Sequence, residues 1–158
     1  MSNLATVYEQ DFCLWLCQNT KLLRVAEIDM ENIAKELDAM DKSQHCELTS
    51  RLKILFAHLL RWQFQAAHRS FAWKTNIVEQ RHQIGQLLEM SPSLKHQIDP
   101  KAYRKAVEYA ATMTGMPESV FPKSCPYSLE EALDKDFILQ RTTDNRQLTT
   151  NNQQPTTK

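Results

Sequence analysis

The sequence predicts an all-α protein, and three observations support that prediction. The 158-residue chain contains only two glycines, Gly85 and Gly115, whereas a β-rich fold needs more glycines in its turns. Leu, Ala, Gln, Glu, Lys and Met, which favour helices, are abundant. Apolar residues recur at the three- and four-residue spacing of amphipathic helices. We therefore expect a single-domain helical bundle with about five main helices and a short C-terminal helix.

The N-terminal part of the chain predicts two helices. The first covers 5–24, with Asn19 as the one polar residue on an apolar face formed by Phe12, Trp15, Leu16, Leu22 and Leu23. The second covers about 29–41, with Ile33, Leu37 and Met40 on one stripe. A break at 41–43 would make Ser43 the cap of the next helix. The alternative is one long bent helix that continues through this point.

Three further helices follow before the proline-rich segment. The third covers about 44–66 and the fourth about 71–90, where Ser91–Pro92 stops it. Pro100 suits the first turn of the fifth helix, with Asp99 as its cap and Gly115 as its C-terminal glycine. The apolar faces consist of Leu48, Leu52, Leu55, Leu59 and Trp62 on the third helix, and of Trp73, Ile77, Gln80, Ile84 and Leu88 on the fourth.

The C-terminal part of the chain divides into a short helix and a tail. Residues 116–126 contain three prolines and predict an ordered loop over the core, and Ser128 with Glu131 forms a capping box that opens the last helix. From about 141 the chain is polar, with Leu148 as its one large apolar residue, which predicts disorder. The expected organisation is a helical domain over 1–140 and a disordered tail over 141–158.

Composition narrows the range of functions. The 19 basic and 19 acidic residues give a net charge of zero, which does not favour nucleic-acid binding. No apolar run approaches the roughly 20 residues of a membrane span, and the N-terminus lacks the pattern of a secretory signal. The four cysteines form no CxxC pair, and we expect them to be reduced. These features predict a soluble, cytoplasmic protein, and no motif indicates a cofactor.

Charge is distributed unevenly along the middle of the chain. Residues 27–47 contain seven acids and two lysines, a sum of −5, whereas residues 51–82 contain six bases and one acid, a sum of +5. Opposite helices could pair within the fold, which is the favoured interpretation, although surface pairs contribute only about 0–1 kcal/mol each. The functional alternative is a basic groove for an anionic partner.

Helical spacing places five polar residues beside the apolar faces of the second and third helices. If these two faces pack together, carboxylates of one helix meet basic groups of the other at the edge of the core. The candidate cluster consists of Asp29, Glu36, Arg51, His58 and Gln65. Asp29, Glu36 and His58 would suit a metal, or Glu36 would orient His58 for proton transfer. The favoured alternative is a structural ion-pair network, so neither a metal site nor a catalytic residue is assigned.

The stretch 58–84 interleaves aromatic and basic residues. Its aromatic rings could stack on nucleic-acid bases while Arg61, Arg69, Lys74 and Arg81 contact phosphates. The favoured alternative is that Trp62 and Trp73 anchor the core, with Arg69 and Trp73 forming a cation–π pair.

Several segments, in the same order, resemble the bacterial and especially cyanobacterial proteins grouped as domain of unknown function family twenty-nine. The resemblance covers roughly 8–139 and rests on the following segments: YEQDFCLWL (8–16), LLR (22–24), DMENIAKELDAM (29–40), SRLKILFAHLLRWQFQ (50–65), RSFAWKTNIVEQR (69–81), SPSL (91–94), TGMPESVFPKSCPYS (114–128) and LDKDF (133–137). It implies an α-helical bundle and no established activity. Lys35 stands where the family usually has an acid, which weakens a metal site that needs adjacent carboxylates.

These observations predict a non-enzymatic interaction or assembly protein. Its partner would be another protein or a second copy of the chain. A nucleic-acid binder that uses 51–82 is the first alternative. A metal protein or an acid–base enzyme centred on Glu36 and His58 is the second.

Overall fold

The structure is a computed structural model that describes residues 4–25 and 31–137. It contains α1 (Leu4–Gln10), α2 (Phe12–Val25), α3 (Glu31–Phe64), α4 (Phe71–Met90), α5 (Lys101–Thr114) and α6 (Leu129–Leu133), with 3-10 turns at Ala66–His68, Pro92–Gln97 and Glu118–Val120. No strand occurs within these residues, so the all-α prediction is confirmed. The predicted tail, 141–158, and Asp29 lie outside the described residues.

Helix α3 is the centre of the bundle and contacts α2, α4 and α5. Its 34 residues extend about 51 Å at 1.5 Å per residue. The C-terminal half is enclosed, and Leu52, Leu55 and Leu60 are completely buried. Toward the N-terminus, Ala34 is the one buried residue between Glu31 and Glu47. We call this N-terminal half of α3, together with α2, the arm.

The expected break at 41–43 is wrong, because α3 is continuous through these residues. Asp41, Lys42 and Ser43 have moderate helix propensities, and none of them forces the chain out of a helix. Residues on both sides of the segment, Ala34 and Leu48, are buried. The long-helix alternative is therefore correct, and Ser43 is an interior helical residue that caps nothing.

The continuous helix α3 also determines how the acidic and basic segments of the sequence are arranged in the fold. The acidic segment and the start of the basic segment follow one another along a single helix, so they do not pack side by side. Within the described residues, acids of the segment pair with Arg24 on α2 or with neighbours one turn away on α3, namely Lys35, His45 and Arg51. The predicted pairing between an acidic helix and opposing basic helices is therefore not formed.

The N-terminal segment forms two helices where one was predicted, because Asp11 interrupts it. The Asp11 carboxylate accepts hydrogen bonds from the backbone N–H of Leu14 (2.9 Å) and from the N–H and hydroxyl of Ser93 (2.5 and 2.8 Å). The predicted buried face is also rotated, because α2 buries Cys13, Leu16 and Thr20. Leu22, expected in the core, is 55% exposed.

The arm leaves predicted core residues on the surface. Ile33 and Met40 are 49% and 47% exposed, and Ala34 is the one buried residue in the part of the arm that α3 contributes. Helix α2 contacts α3, and the small side chain of Ala34 is completely buried. Periodicity predicted an apolar stripe here, but it did not predict which edge of the stripe would be covered.

Helix α4 follows its prediction closely. It begins after Ser70, whose hydroxyl accepts a hydrogen bond from the backbone N–H of Trp73 (3.3 Å), and it ends at Met90, before Ser91 and Pro92. The predicted residues Ile77, Gln80, Ile84 and Leu88 are buried. Their spacing fixes the inner face of α4 and leaves its opposite face outward.

The C-terminal elements close the core. Helix α5 begins at Lys101, whose N–H donates to Asp99 (2.8 Å), and Gly115 ends it with a φ of 69°. Ser128 and Glu131 form the predicted capping box of α6. The loop between these helices packs inward through Phe121 and Tyr127. Among the helices of the described residues, none combines the length and apolar character needed to cross a membrane.

Candidate functional site

The structure does not bring the predicted polar cluster together. Glu36 and His58 lie on one continuous helix, 22 residues apart, which corresponds to about 33 Å along its axis. Glu36 is exposed to solvent, whereas His58 is buried. The prediction required the second and third helices to fold back on each other, and α3 does not fold back. Across 4–25 and 31–137, no group of three metal-binding side chains occurs.

The remaining members of that cluster have separate structural partners. Arg51 contacts Glu47 one turn earlier on the same helix (3.4 Å). Gln65 donates from Nε2 to the backbone oxygen of Thr114 (3.3 Å) and so ties the end of α3 to α5. These contacts stabilise the fold, and Arg51 and Gln65 do not line a common cleft.

His58 is buried in the core. Its side chain is 5% exposed, and its Nδ1 has no hydrogen-bond partner among the described residues. Burial lowers the pKa of His58, and the nearby charge of Arg61 lowers it further. The folded protein therefore holds His58 in its neutral form.

This environment predicts a loss of stability in acid. Because the pKa of His58 is lower in the folded chain than in the unfolded one, its contribution is complete above about pH 6.5 and is lost as pH falls below it. Replacing His58→Gln should make the melting temperature less sensitive to pH between 7 and 5. The exposed His96→Gln is the control. An identical pH slope in all three proteins would contradict this assignment.

The predicted nucleic-acid residues have mainly internal contacts. The Arg61 guanidinium lies over the Trp73 ring (3.9 Å to the centroid) and beside the Met113 sulfur, and so bridges α3, α4 and α5. Arg69 donates to the Trp62 carbonyl oxygen (2.8 Å) and lies over its ring. The expected pair of Arg69 with Trp73 is therefore wrong, because Arg61 takes that position.

The two other predicted contact residues differ in exposure. Lys74 is exposed on α4. Arg81 is 9% exposed and donates through Nε to the backbone oxygen of Ala132 (2.7 Å) and through Nη1 to that of Lys135 (3.4 Å). Arg81 thus joins α4 to the segment around α6.

Cys13 lies in an environment that favours its protonated thiol. Cys13 is buried in the core, where desolvation raises the pKa of its thiol and the carboxylates of Asp41 and Asp11 raise it further. A raised pKa keeps the thiol protonated, whereas nucleophilic attack needs the thiolate. The interpretation of Cys13 as a small core residue is consistent with this environment.

The structure reveals a groove that the sequence did not predict. It lies along the outer face of α4, where the segment after α6 runs beside that helix, and encloses about 680 Å³. We call it the α4 groove; it is lined by Val78, Glu79, Arg81, His82, Gly85, Gln86, Glu89, Leu133 and Lys135. Two other cavities enclose about 220 and 290 Å³, so the α4 groove has room for a larger group.

Gly85 is the unexpected residue in this lining. It lies in the interior of α4, where glycine is less favourable than alanine by about 0.5–1 kcal/mol. A Cβ added at Gly85 would meet no atom within 4 Å, so packing within the chain does not require glycine. The sequence signal for this site was a single glycine inside a long helical pattern.

Gly85→Ala should therefore stabilise the isolated chain. We expect its free energy of unfolding to rise by about 0.5–1 kcal/mol, because alanine favours the helix and fits without a clash. Chemical denaturation at low protein concentration measures this change. A decrease would mean that the open space beside Gly85 is absent in solution.

Two groups of opposite charge, Arg81 and Glu89, flank Gly85 along α4. The Nη2 atom of Arg81 is buried and has no hydrogen-bond partner among the described residues. Burial lowers the pKa of the Arg81 guanidinium, while the Asp134 charge opposes this effect; arginine nevertheless remains charged. Glu89 is exposed and has no side-chain ion pair or hydrogen bond in the described part of the chain. The α4 groove therefore presents the exposed charges of Glu89 and Lys135, whereas the Arg81 guanidinium is turned toward carbonyls of its own chain.

Comparisons with known proteins agree on the family and the fold. The sequence model of the family described as "Domain of unknown function DUF29" matches residues 7–138. A crystal structure of an α-helical protein of unknown function from Rhodospirillum rubrum is similar, with a TM-score of 0.70 and 22% sequence identity, over 87% of this chain and 96% of that one. No curated protein matches the sequence.

Proposed function

Because the chain belongs to the family described as domain of unknown function DUF29, for which no activity is defined, we propose a function from its geometry: it is a non-enzymatic assembly protein that binds a partner helix in the α4 groove. The observation that carries the proposal is Gly85, a helix-interior glycine beside open space in the groove. We assign this role to the bacterial cytoplasm, where the four free cysteines would stay reduced.

The shape of the α4 groove suits a helix. Binding sites for amphipathic helices are elongated and combine apolar contacts with a few charged positions. Val78, which is 56% exposed, and Leu133 supply apolar surface, while the exposed Lys135 supplies positive charge. A glycine in the floor lets the backbone of a partner approach closely, because no side chain separates the two helices.

The exposed Lys135 adds specificity to this surface. A carboxylate from the partner would pair with the Lys135 ammonium group at the edge of the groove. The expected partner is therefore an amphipathic helix that presents an acidic side chain near its centre.

A peptide selection tests this function and does not require the partner to be identified first. The full chain is immobilised, and a phage library of helical peptides is selected on it, with counter-selection on Gly85→Leu. Leucine at this position fills the groove and has a high helix propensity, so the variant should fold. Thr112→Leu, an exposed position on α5, is the matched control.

We expect amphipathic peptides with a central acid to be enriched on the wild type and on Thr112→Leu, and to be lost on Gly85→Leu. The proposal is wrong if no peptide distinguishes the wild type from Gly85→Leu. Sequences that bind all three proteins equally would assign the interaction to another surface and would also contradict it.

Nucleic-acid binding is a less favoured second candidate. The observation in its favour is Phe71, which is 85% exposed three residues before Lys74, since a protruding ring beside a cation can stack on a base. Arg61 and Arg81 already have partners inside the fold. Binding of single-stranded DNA that weakens steeply with salt and is lost in Phe71→Ser would support it, and no binding at low salt would eliminate it.

A further inference from the structure

We propose that the chain has a second binding site, separate from the α4 groove, and that this site takes a small quaternary ammonium compound. It is the cavity of about 220 Å³ between the C-terminal half of α3, the start of α5 and the segment that leads into α6. We call it the aromatic pocket, because Phe56, Tyr103 and Tyr127 line it. It shares no lining residue with the α4 groove, so this inference does not depend on the proposed function.

The three aromatic rings of the pocket face different directions. The Phe56 and Tyr127 rings are inclined to each other by 20°, whereas the Tyr103 ring is turned by 70° from Phe56, and the centroids of both pairs are 6.2 Å apart. The Tyr103 hydroxyl donates to the carbonyl oxygen of Pro122 (2.7 Å), and the Tyr127 hydroxyl donates to Oε1 of Gln63 (2.9 Å). Neither acceptor belongs to the lining, so the pocket meets ring carbons rather than hydroxyl groups.

The charge of the aromatic pocket is negative. Among the described residues that line it, Asp99 is the one with an ionised side chain at neutral pH, since burial raises the pKa of the Cys125 thiol and keeps it protonated. The Asp99 carboxylate accepts a hydrogen bond from the N–H of Lys101 (2.8 Å). It forms no ion pair with a basic side chain in residues 4–25 and 31–137. A bound cation would therefore supply a counter-charge that this part of the chain does not.

The pocket opens to solvent at the side where Asp99 lies. Pro100 and Cys125 are exposed and Asp99 is half-buried, whereas the three aromatic residues are buried. The rings thus form the floor and the carboxylate belongs to the rim. A compound with a compact cationic head would place that head on the rings, and its polar remainder would extend past the rim into solvent.

These features favour a methylated ammonium over other cations. The negative face of an aromatic ring attracts cations, and quaternary ammonium groups are recognised by several rings arranged around them. A primary ammonium would leave hydrogen-bond donors unsatisfied against ring carbons, whereas a quaternary ammonium has no donor to lose. An apolar cavity of roughly 150 Å³ holds a benzene-sized group, so the aromatic pocket has room for a trimethylammonium head.

Two ligands of the same shape and different charge test this inference on the full chain. Choline has a trimethylammonium head, and 3,3-dimethyl-1-butanol has carbon in place of its nitrogen. Isothermal titration calorimetry at constant ionic strength measures both. We expect choline to bind and the alcohol to bind at least about tenfold more weakly, because only choline is attracted by the rings and by the Asp99 charge. This comparison uses the wild type alone, so a folding defect cannot imitate it.

Variants of two lining residues locate the site. Asp99→Asn keeps an acceptor for the N–H of Lys101 but removes the charge, so the chain should fold while the dissociation constant of choline rises at least about threefold. Tyr103→Leu removes a ring and should weaken binding at least about fivefold, whereas Tyr103→Phe keeps the ring and should bind choline as the wild type does. Glu36→Gln, which neutralises an exposed acid on the arm, is the matched control and should change nothing.

Three results would overturn the inference. The first is a wild type that does not bind choline in the millimolar range. The second is equal affinity for choline and the neutral alcohol, which would mean that charge is not recognised. The third is an Asp99→Asn variant that binds choline as tightly as the wild type, because the cation would then lie elsewhere. None of these results bears on the α4 groove, which the peptide selection tests.

Discussion

Ser43→Pro is expected to destabilise the arm by about 3 kcal/mol, because Ser43 lies inside the continuous helix α3. Proline there removes one backbone hydrogen bond, and its ring clashes with the carbonyl of the residue four positions earlier. For a chain of this size, the change corresponds to a fall of roughly 6–12 °C in the melting temperature if unfolding is cooperative. Thermal unfolding followed by circular dichroism measures it.

The control for this change is Ser43→Ala. Alanine favours a helix more than serine does, and Ser43 is exposed, so this variant should be neutral or slightly more stable. Hydrogen exchange of residues 31–42 shows whether the loss is confined to the arm. If Ser43→Pro changes neither the melting temperature nor the hydrogen exchange of residues 31–42, the helix has a break at 41–43 and the continuous α3 is wrong.

Asp11→Ala is expected to lower the free energy of unfolding by about 2–4 kcal/mol. The carboxylate of Asp11 caps the start of α2 at Leu14 and accepts two hydrogen bonds from Ser93, which is 82 residues away. Loss of a helix cap costs about 0.5–2 kcal/mol, and a hydrogen bond to a charged group contributes about 1.5–3 kcal/mol. Urea unfolding of the purified chain measures the total.

Two controls separate the parts of this effect. Asp11→Asn keeps one carbonyl acceptor and should be less destabilising than alanine, while the exposed Glu9→Ala should be neutral. Combining Asp11→Ala with Ser93→Ala should cost less than the sum of the two single changes, because the residues share a hydrogen bond. Strict additivity would contradict the contact.

The contact between Asp11 and Ser93 joins two of the segments on which the family resemblance rests. Asp11 belongs to the segment 8–16, and Ser93 belongs to the segment 91–94. The chain brings them together at the junction between α2 and the 3-10 turn Pro92–Gln97. These segments therefore fix where the arm joins the rest of the bundle.

Local chemistry determined many of the helix boundaries. Ser70 and Ser128 cap α4 and α6, Pro92 follows the end of α4, and Gly115 ends α5. Each of these signals acts between residues a few positions apart, so it can be identified in the sequence. The inner face of α4 was also predictable, because one side of that helix packs against α3 along its length and the period of 3.6 residues identifies that side.

Contacts between distant segments decided the rest. The sequence around 41–43 allowed both a break and a continuous helix. The structure contains the continuous helix, in which Ala34 and Leu48 are buried on either side of this segment. That outcome separated Glu36 from His58 and removed the predicted cluster. Likewise, the choice of Trp73 as the partner of Arg61 depends on how α3 and α4 dock, which no local spacing specifies.

The sequence by itself determined that this protein is all-α, because helix propensity, caps and periodicity are local properties. Its segments, taken in order, also placed it in a family of unknown function. Only the tertiary structure showed the α4 groove, since Leu133 and Lys135 reach α4 from about 50 residues away in the chain. The sequence shows Gly85 only as one of two glycines, and its significance depends on the open space beside it. That space is a property of how the helices pack and is not encoded at any single position.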